Sequence, residues 1–99
     1  MEYKNEEEAR EAADTIYMVA VEAVDRRTND YQPSADRWYF GDKDEAIAKY
    51  KSIDLEHWFR RQCKADRDKH YFTKSLWIEI DDEFEGLEIE YAGKDEGEE

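Results

Sequence analysis

Apolar and polar residues alternate most regularly near the carboxyl end of the chain. Leu76, Ile78 and Ile80 alternate with Trp77, Glu79 and Asp81. Past residues 82–86, Leu87, Ile89 and Tyr91 alternate with Glu88 and Glu90. A period of two is the mark of strands. The pattern predicts a β-hairpin with one apolar face and one acidic face. Upstream, residues 5–14 are good helix formers, with Asn5 placed as an N-cap and glutamates at the positive end of the helix dipole. Residues 15–24 admit two readings. As a helix they continue the first segment, with Ala9, Ala13, Ile16, Ala20 and Val24 on one stripe. As a strand they are rich in β-branched residues and lead into a turn over 25–30. The strand is favoured, since Ile, Val, Thr and Tyr suit a pleated surface.

Pro33 and its polar neighbours predict a loop, and residues 37–40 a short second strand. Asp42 and Glu45 have the spacing of a capping box, after which Ala46, Ile47 and Tyr50 form a helical face. The apolar phase breaks at 52–54 and resumes at Leu55, Trp58 and Phe59, which predicts a second helix over about 54–68. The expected architecture is α+β: an N-terminal helix, a hairpin, two central helices and a C-terminal hairpin. One mostly antiparallel sheet packs on the helices. Residues 1–92 form a single domain in this reading, and 93–99 a disordered acidic tail.

Length agrees with one domain, because 99 residues bury one core and no more. Aromatic residues at 14% separate the chain from disordered sequences of similar charge. The net charge of −13 exceeds the magnitude of about 2–8 that keeps a small domain soluble. It disfavours direct binding to nucleic acid or an anionic membrane and favours a basic partner. A halophilic origin of this charge fits poorly with eight lysines. The charge is also uneven. Residues 75–99 hold eleven acids and one base, whereas 42–74 hold seven acids and nine bases. One cysteine excludes an internal disulfide, and neither a leader nor a run of about 20 apolar residues is visible. The expected location is the cytoplasm.

Candidate chemistry is sparse. Residues 81–92 place a glycine at the sixth position, as a calcium loop does, yet the twelfth position is Ala92 instead of a bidentate Glu. His57 and Cys63 differ by roughly 240° around a helix, and His70 lies about two turns beyond Cys63, so the three share no site. Neither catalysis, a metal nor a cofactor is expected. Arg60, Lys64 and Arg67 fall at i, i+4 and i+7, a basic stripe best suited to neutralising the chain's own carboxylates. The strongest candidate is the acidic hairpin. Same-face strand residues lie about 6.6–6.8 Å apart, so Glu79, Asp81, Glu88 and Glu90 are expected as two rows of carboxylates. Asp82, Glu83 and Glu85 extend them, and Tyr31 is the aromatic expected to be an exposed partner contact.

Two features carry a resemblance at the level of class. The run from Phe40 to Lys49, an aromatic strand end leading into a capped helix, is similar to small orphan proteins of phages and mobile elements. The short, highly acidic format resembles anti-CRISPR and anti-restriction proteins that mimic nucleic acid. The resemblance implies a stoichiometric inhibitor of a basic nucleic-acid-binding protein, such as a CRISPR effector or restriction enzyme. The alternative is a small adaptor module whose carboxylates serve only solubility.

Overall fold

The β-branched run after residue 15 resolves as a strand. A computed structural model of the protein describes residues 2–93, leaving aside the side chains of 33–35. In it β2 (Tyr17–Asp25) is the middle of a five-stranded antiparallel sheet ordered β1-β3-β2-β4-β5. Its neighbours are β3 (Tyr31–Phe40) and β4 (His70–Ile80). The outer strands are β1 (Glu2–Tyr3) and β5 (Glu83–Ala92). Four helices accompany the sheet: α1 (Glu6–Ala12), α2 (Lys43–Ser52), α3 (Leu55–Arg61) and α4 (Lys64–Lys69). The fold is α+β, as the patterning predicts. The tail expected over 93–99 lies outside the described residues from 94 onward. Gly93 belongs to the packed structure, at φ +78° beside the Phe59 ring.

Helix boundaries follow local capping. Asn5 Oδ1 accepts from the Glu8 backbone N–H at 2.8 Å, Asp42 from Glu45 at 3.1 Å, and Asp54 from His57 at 3.1 Å. Only the last helix departs from expectation. The stretch expected as one helix over 54–68 divides because Gln62 and Cys63 are extended, with ψ of 151° and 160°. Phe59 is the last apolar residue before Tyr71 apart from Cys63 and Ala65. Beyond α3 there is thus no apolar stripe to hold a helix on the sheet, and α4 has no buried residue.

Val19, Val21, Phe40 and Leu76 face α2 and α3, and with Ala46, Tyr50, Ile53 and Leu55 they make the main core. The opposite sheet face is covered only at one end. There α1 brings Ala9 against Ile16 and Tyr39, with Tyr3, Met18 and Phe84 packed around them. Lys74 ties sheet to helix. Its Nζ, on the helix-covered face, donates to the carbonyls of Tyr50 at 2.8 Å and Ile53 at 3.0 Å, and lies 4.4 Å from the Tyr50 ring centroid. The Tyr50 carbonyl also accepts from the Ile53 backbone N–H at 3.3 Å, so Lys74 adds to the local cap at the end of α2.

Two sequence expectations for strands need correction. Pro33 does not sit in a loop: residues 31–40 are one strand whose outer edge is open except where β1 pairs with Tyr39 and Phe40. Edge strands tolerate proline, and the register with β2 slips between Glu22 and Val24. The C-terminal hairpin is tighter than expected. Its turn is Asp81 and Asp82 alone, at φ 53° and 65°, the conformation of a two-residue type I′ turn. Ile80 therefore faces Glu83, and Ile78 faces Glu85.

Candidate partner-binding surface

That register decides where the carboxylates lie. Residues directly opposite in a sheet share a face. Leu76 pairs with Glu88 and Lys74 with Glu90, across a bulge that leaves Leu87 without an opposite residue. Glu83, Glu85, Glu88 and Glu90 thus form a single row at the outer margin of the helix-covered face. The apolar residues of β4 share that face instead of lying opposite it. The expected hairpin with one apolar and one acidic face is not formed, nor are two carboxylate rows. The tight turn sets Glu83 and Glu85 on the face of Ile80 and Ile78, and the bulge then shifts the register by one residue, which puts Glu88 and Glu90 on that face in place of Leu87 and Ile89.

The remaining acids of the hairpin are placed differently. Glu79 points to the other face, largely buried, and pairs with Arg10 of α1 at 2.6 Å. Asp82 lies 3.8 Å from the same guanidinium. These carboxylates, with Glu6, raise the affinity of Arg10 for its proton, the Glu6 hydrogen bond foremost. Asp81 serves the turn backbone. Within the row, Glu90 lies 3.4 Å from Lys74. Among the described residues Glu83, Glu85 and Glu88 make no ion pair, and all are exposed. The row thus has one partly committed end and three carboxylates facing solvent. Glu90 and Glu88 also act on Tyr50, whose hydroxyl is held well above its ordinary pKa, first by burial and then by these charges.

Tyr31 is exposed, at 48% of its surface, on the opposite face from the row. Burial of its hydroxyl raises the phenol pKa first, followed by Tyr91, Glu22 and Tyr71. The rings of Tyr71 and Tyr91 lie 6.0 Å apart. Together with Leu87 (47% exposed), Ile89 (40%) and Tyr91 (47%), Tyr31 borders an open apolar face that the sequence reading missed. Beside Tyr31 is a hollow of about 380 Å³ lined by Met18, Glu22, Arg37, Trp77 and Phe84. Its charged groups, Glu22 and Arg37, are 3.7 Å apart and largely answer one another. Trp77 packs across the strand on Gly86, where a Cβ would approach its ring to 3.3 Å. An Asp-Asp pair between alternating runs is the sequence signal for the tight turn, since aspartate tolerates the left-handed conformation that a two-residue turn needs.

The other candidates separate in space or find local roles. The basic stripe is divided by the break at 62–63. Arg60 Nε contacts the Glu56 carbonyl at 3.4 Å, Lys64 pairs with Asp68 at 3.6 Å, and the Arg67 carbonyl accepts from Arg26 at 3.0 Å. Cys63 is exposed, and its Sγ lies 3.3 Å from Asp66 Oδ2. A cleft of about 380 Å³ between the sheet and α3–α4 is lined by Asp36, Trp58, Asp66, His70 and Phe72 among others. His70 Nδ1 there contacts the backbone carbonyl of Asp66 at 3.3 Å. Among the described residues no three His, Cys, Asp or Glu side chains are grouped to hold a metal ion, and no helix is long and apolar enough to cross a membrane. No protein-family model, curated protein or solved structure matches the chain.

Proposed function

We propose that this chain is a non-enzymatic binding protein that presents the β5 glutamates to a cationic cleft otherwise occupied by nucleic acid. Inhibition of a CRISPR effector or restriction enzyme by a phage-type protein is the form this takes. The observation that carries the reading is the single row Glu83, Glu85, Glu88 and Glu90 on an edge strand, with three members free of internal ion pairs among the described residues. Within each of the pairs 83/85 and 88/90 a strand holds the carboxylates about 6.6–6.8 Å apart, comparable to successive phosphates along one nucleic-acid strand. A groove that binds phosphates through lysine and arginine meets such a row with its charges already ordered. Tyr31, on the other face, is too far around the sheet edge to share one flat contact with the row, so it leaves the docking set.

The exposed apolar face supports a second reading, an adaptor that binds through Tyr31, Leu87, Ile89 and Tyr91. Ionic strength separates the two. Charge-led association slows steeply as salt screens it, whereas apolar docking changes little. The test is to isolate basic host proteins that bind the chain and measure association rates for wild type and the Glu83→Lys/Glu88→Lys variant. Phosphate mimicry predicts at least a tenfold slower association of the variant at low salt, and competition by nucleic acid. Equal rates, or no competition, refute it.

A further inference from the structure

Resting on that reading, we infer that β5 offers its free edge to an extended partner segment that alternates basic and apolar residues, which joins the sheet as a sixth strand. Among the described residues β5 is the terminal strand of the sheet, so alternate residues direct backbone N–H and C=O groups outward without a described strand to receive them. The two faces of that strand differ chemically. One carries Glu83, Glu85, Glu88 and Glu90, and the other carries exposed Ile89 and Tyr91, with Leu87 at the bulge. A strand added alongside directs its side chains alternately to these two faces. Cations at every second position meet the glutamates, and apolar residues between them extend the uncovered face.

The same row argues against a second copy of this chain as the occupant. In a symmetric β5–β5 pairing, glutamates would face glutamates, and like charges directly opposite destabilise a sheet. The net charge of −13 adds to this repulsion. The edge thereby rejects its own kind and accepts a basic strand, a selectivity made by repulsion as much as by attraction. The bulge at Leu87 divides β5 into two short pairing runs, 83–86 and 88–92. Pairing is centred on 88–91, where the exposed Ile89 and Tyr91 lie.

The test uses an octapeptide alternating lysine and valine, the same peptide with every second amide N-methylated, and the full chain. Amide hydrogen exchange is followed at low salt. The expected result is at least tenfold slower exchange for outward-facing amides within 88–91, and at least tenfold weaker binding of the methylated peptide. If both peptides bind equally and β5 exchange is unchanged, edge pairing is overturned while charge-led binding stands. If neither binds at low salt, the phosphate-mimic reading fails with it. Protection along residues 31–38 of β3 in place of β5 also overturns the assignment.

Discussion

Replacing Lys74 by methionine isolates the contact that joins the sheet to the end of α2. Lys74 is 6% exposed, and its ammonium donates to two carbonyls, at 2.8 Å from Tyr50 and 3.0 Å from Ile53. Methionine keeps most of the apolar stem, so packing changes little. What disappears is two charged hydrogen bonds, each contributing about 1.5–3 kcal/mol net, and a cation at a helix C-terminus. Relief from keeping a buried charge offsets part of this loss. The net cost is expected at about 2–4 kcal/mol, a large share of the roughly 5–15 kcal/mol that holds a domain together. Urea unfolding followed by tryptophan fluorescence checks it, with the midpoint falling by roughly 2 M at unchanged slope. Glu90→Gln is the control. Its carboxylate is more than half exposed, so its loss costs less than about 1 kcal/mol. Were Lys74→Met nearly neutral, or Glu90→Gln equally costly, the carbonyl-capping role would be wrong.

Three further outcomes are expected. Gly93→Ala places a Cβ at φ +78° against the Phe59 ring, and thermal unfolding is expected to register a loss of about 2–4 kcal/mol. Arg10→Ala strands the largely buried Glu79 carboxylate and is expected to lower the thermal unfolding midpoint. Adding Glu79→Gln should restore part of this in a double-mutant cycle, and additive losses would deny the pair. The Asp25 carboxyl accepts from the N–H groups of Arg27 and Thr28, which hold its pKa below the ordinary 3.8. With the folded value depressed, its stabilisation is complete above the ordinary value and lost as pH falls through the folded one. Asp25→Asn should therefore flatten the pH dependence of stability below about pH 4, and an unchanged acid limb contradicts this.

The sequence carries most of the fold but not the facing of the hairpin carboxylates. Capping at Asn5 and Asp42 is a local matter of one side chain reaching a backbone N–H three residues on, so it could be read without tertiary information. The strand at 17–25 was likewise favoured by β-branched content. Register is different, because it depends on how many residues the turn and any bulge consume. A loop over 82–86 places Leu87, Ile89 and Tyr91 on the face of Leu76, whereas the turn at Asp81–Asp82 sets Glu85 on that face and the bulge at Leu87 sets Glu88 there. The engagement of Glu79 by Arg10 was invisible for another reason. Residues 69 positions apart meet only once α1 folds over the open face. Helix α4 was merged with α3 because periodicity alone does not register a two-residue extended break at Gln62 and Cys63.

Which surface meets the partner is decided by a map of backbone amide shifts in isotope-labelled protein, titrated at low salt with a basic protein isolated from the host. Residues 83–91 are expected to respond most, and the Glu83→Lys/Glu88→Lys variant to lose the response. Changes confined to the hollow beside Tyr31 or to the cleft under α3, with β5 unmoved, would contradict this.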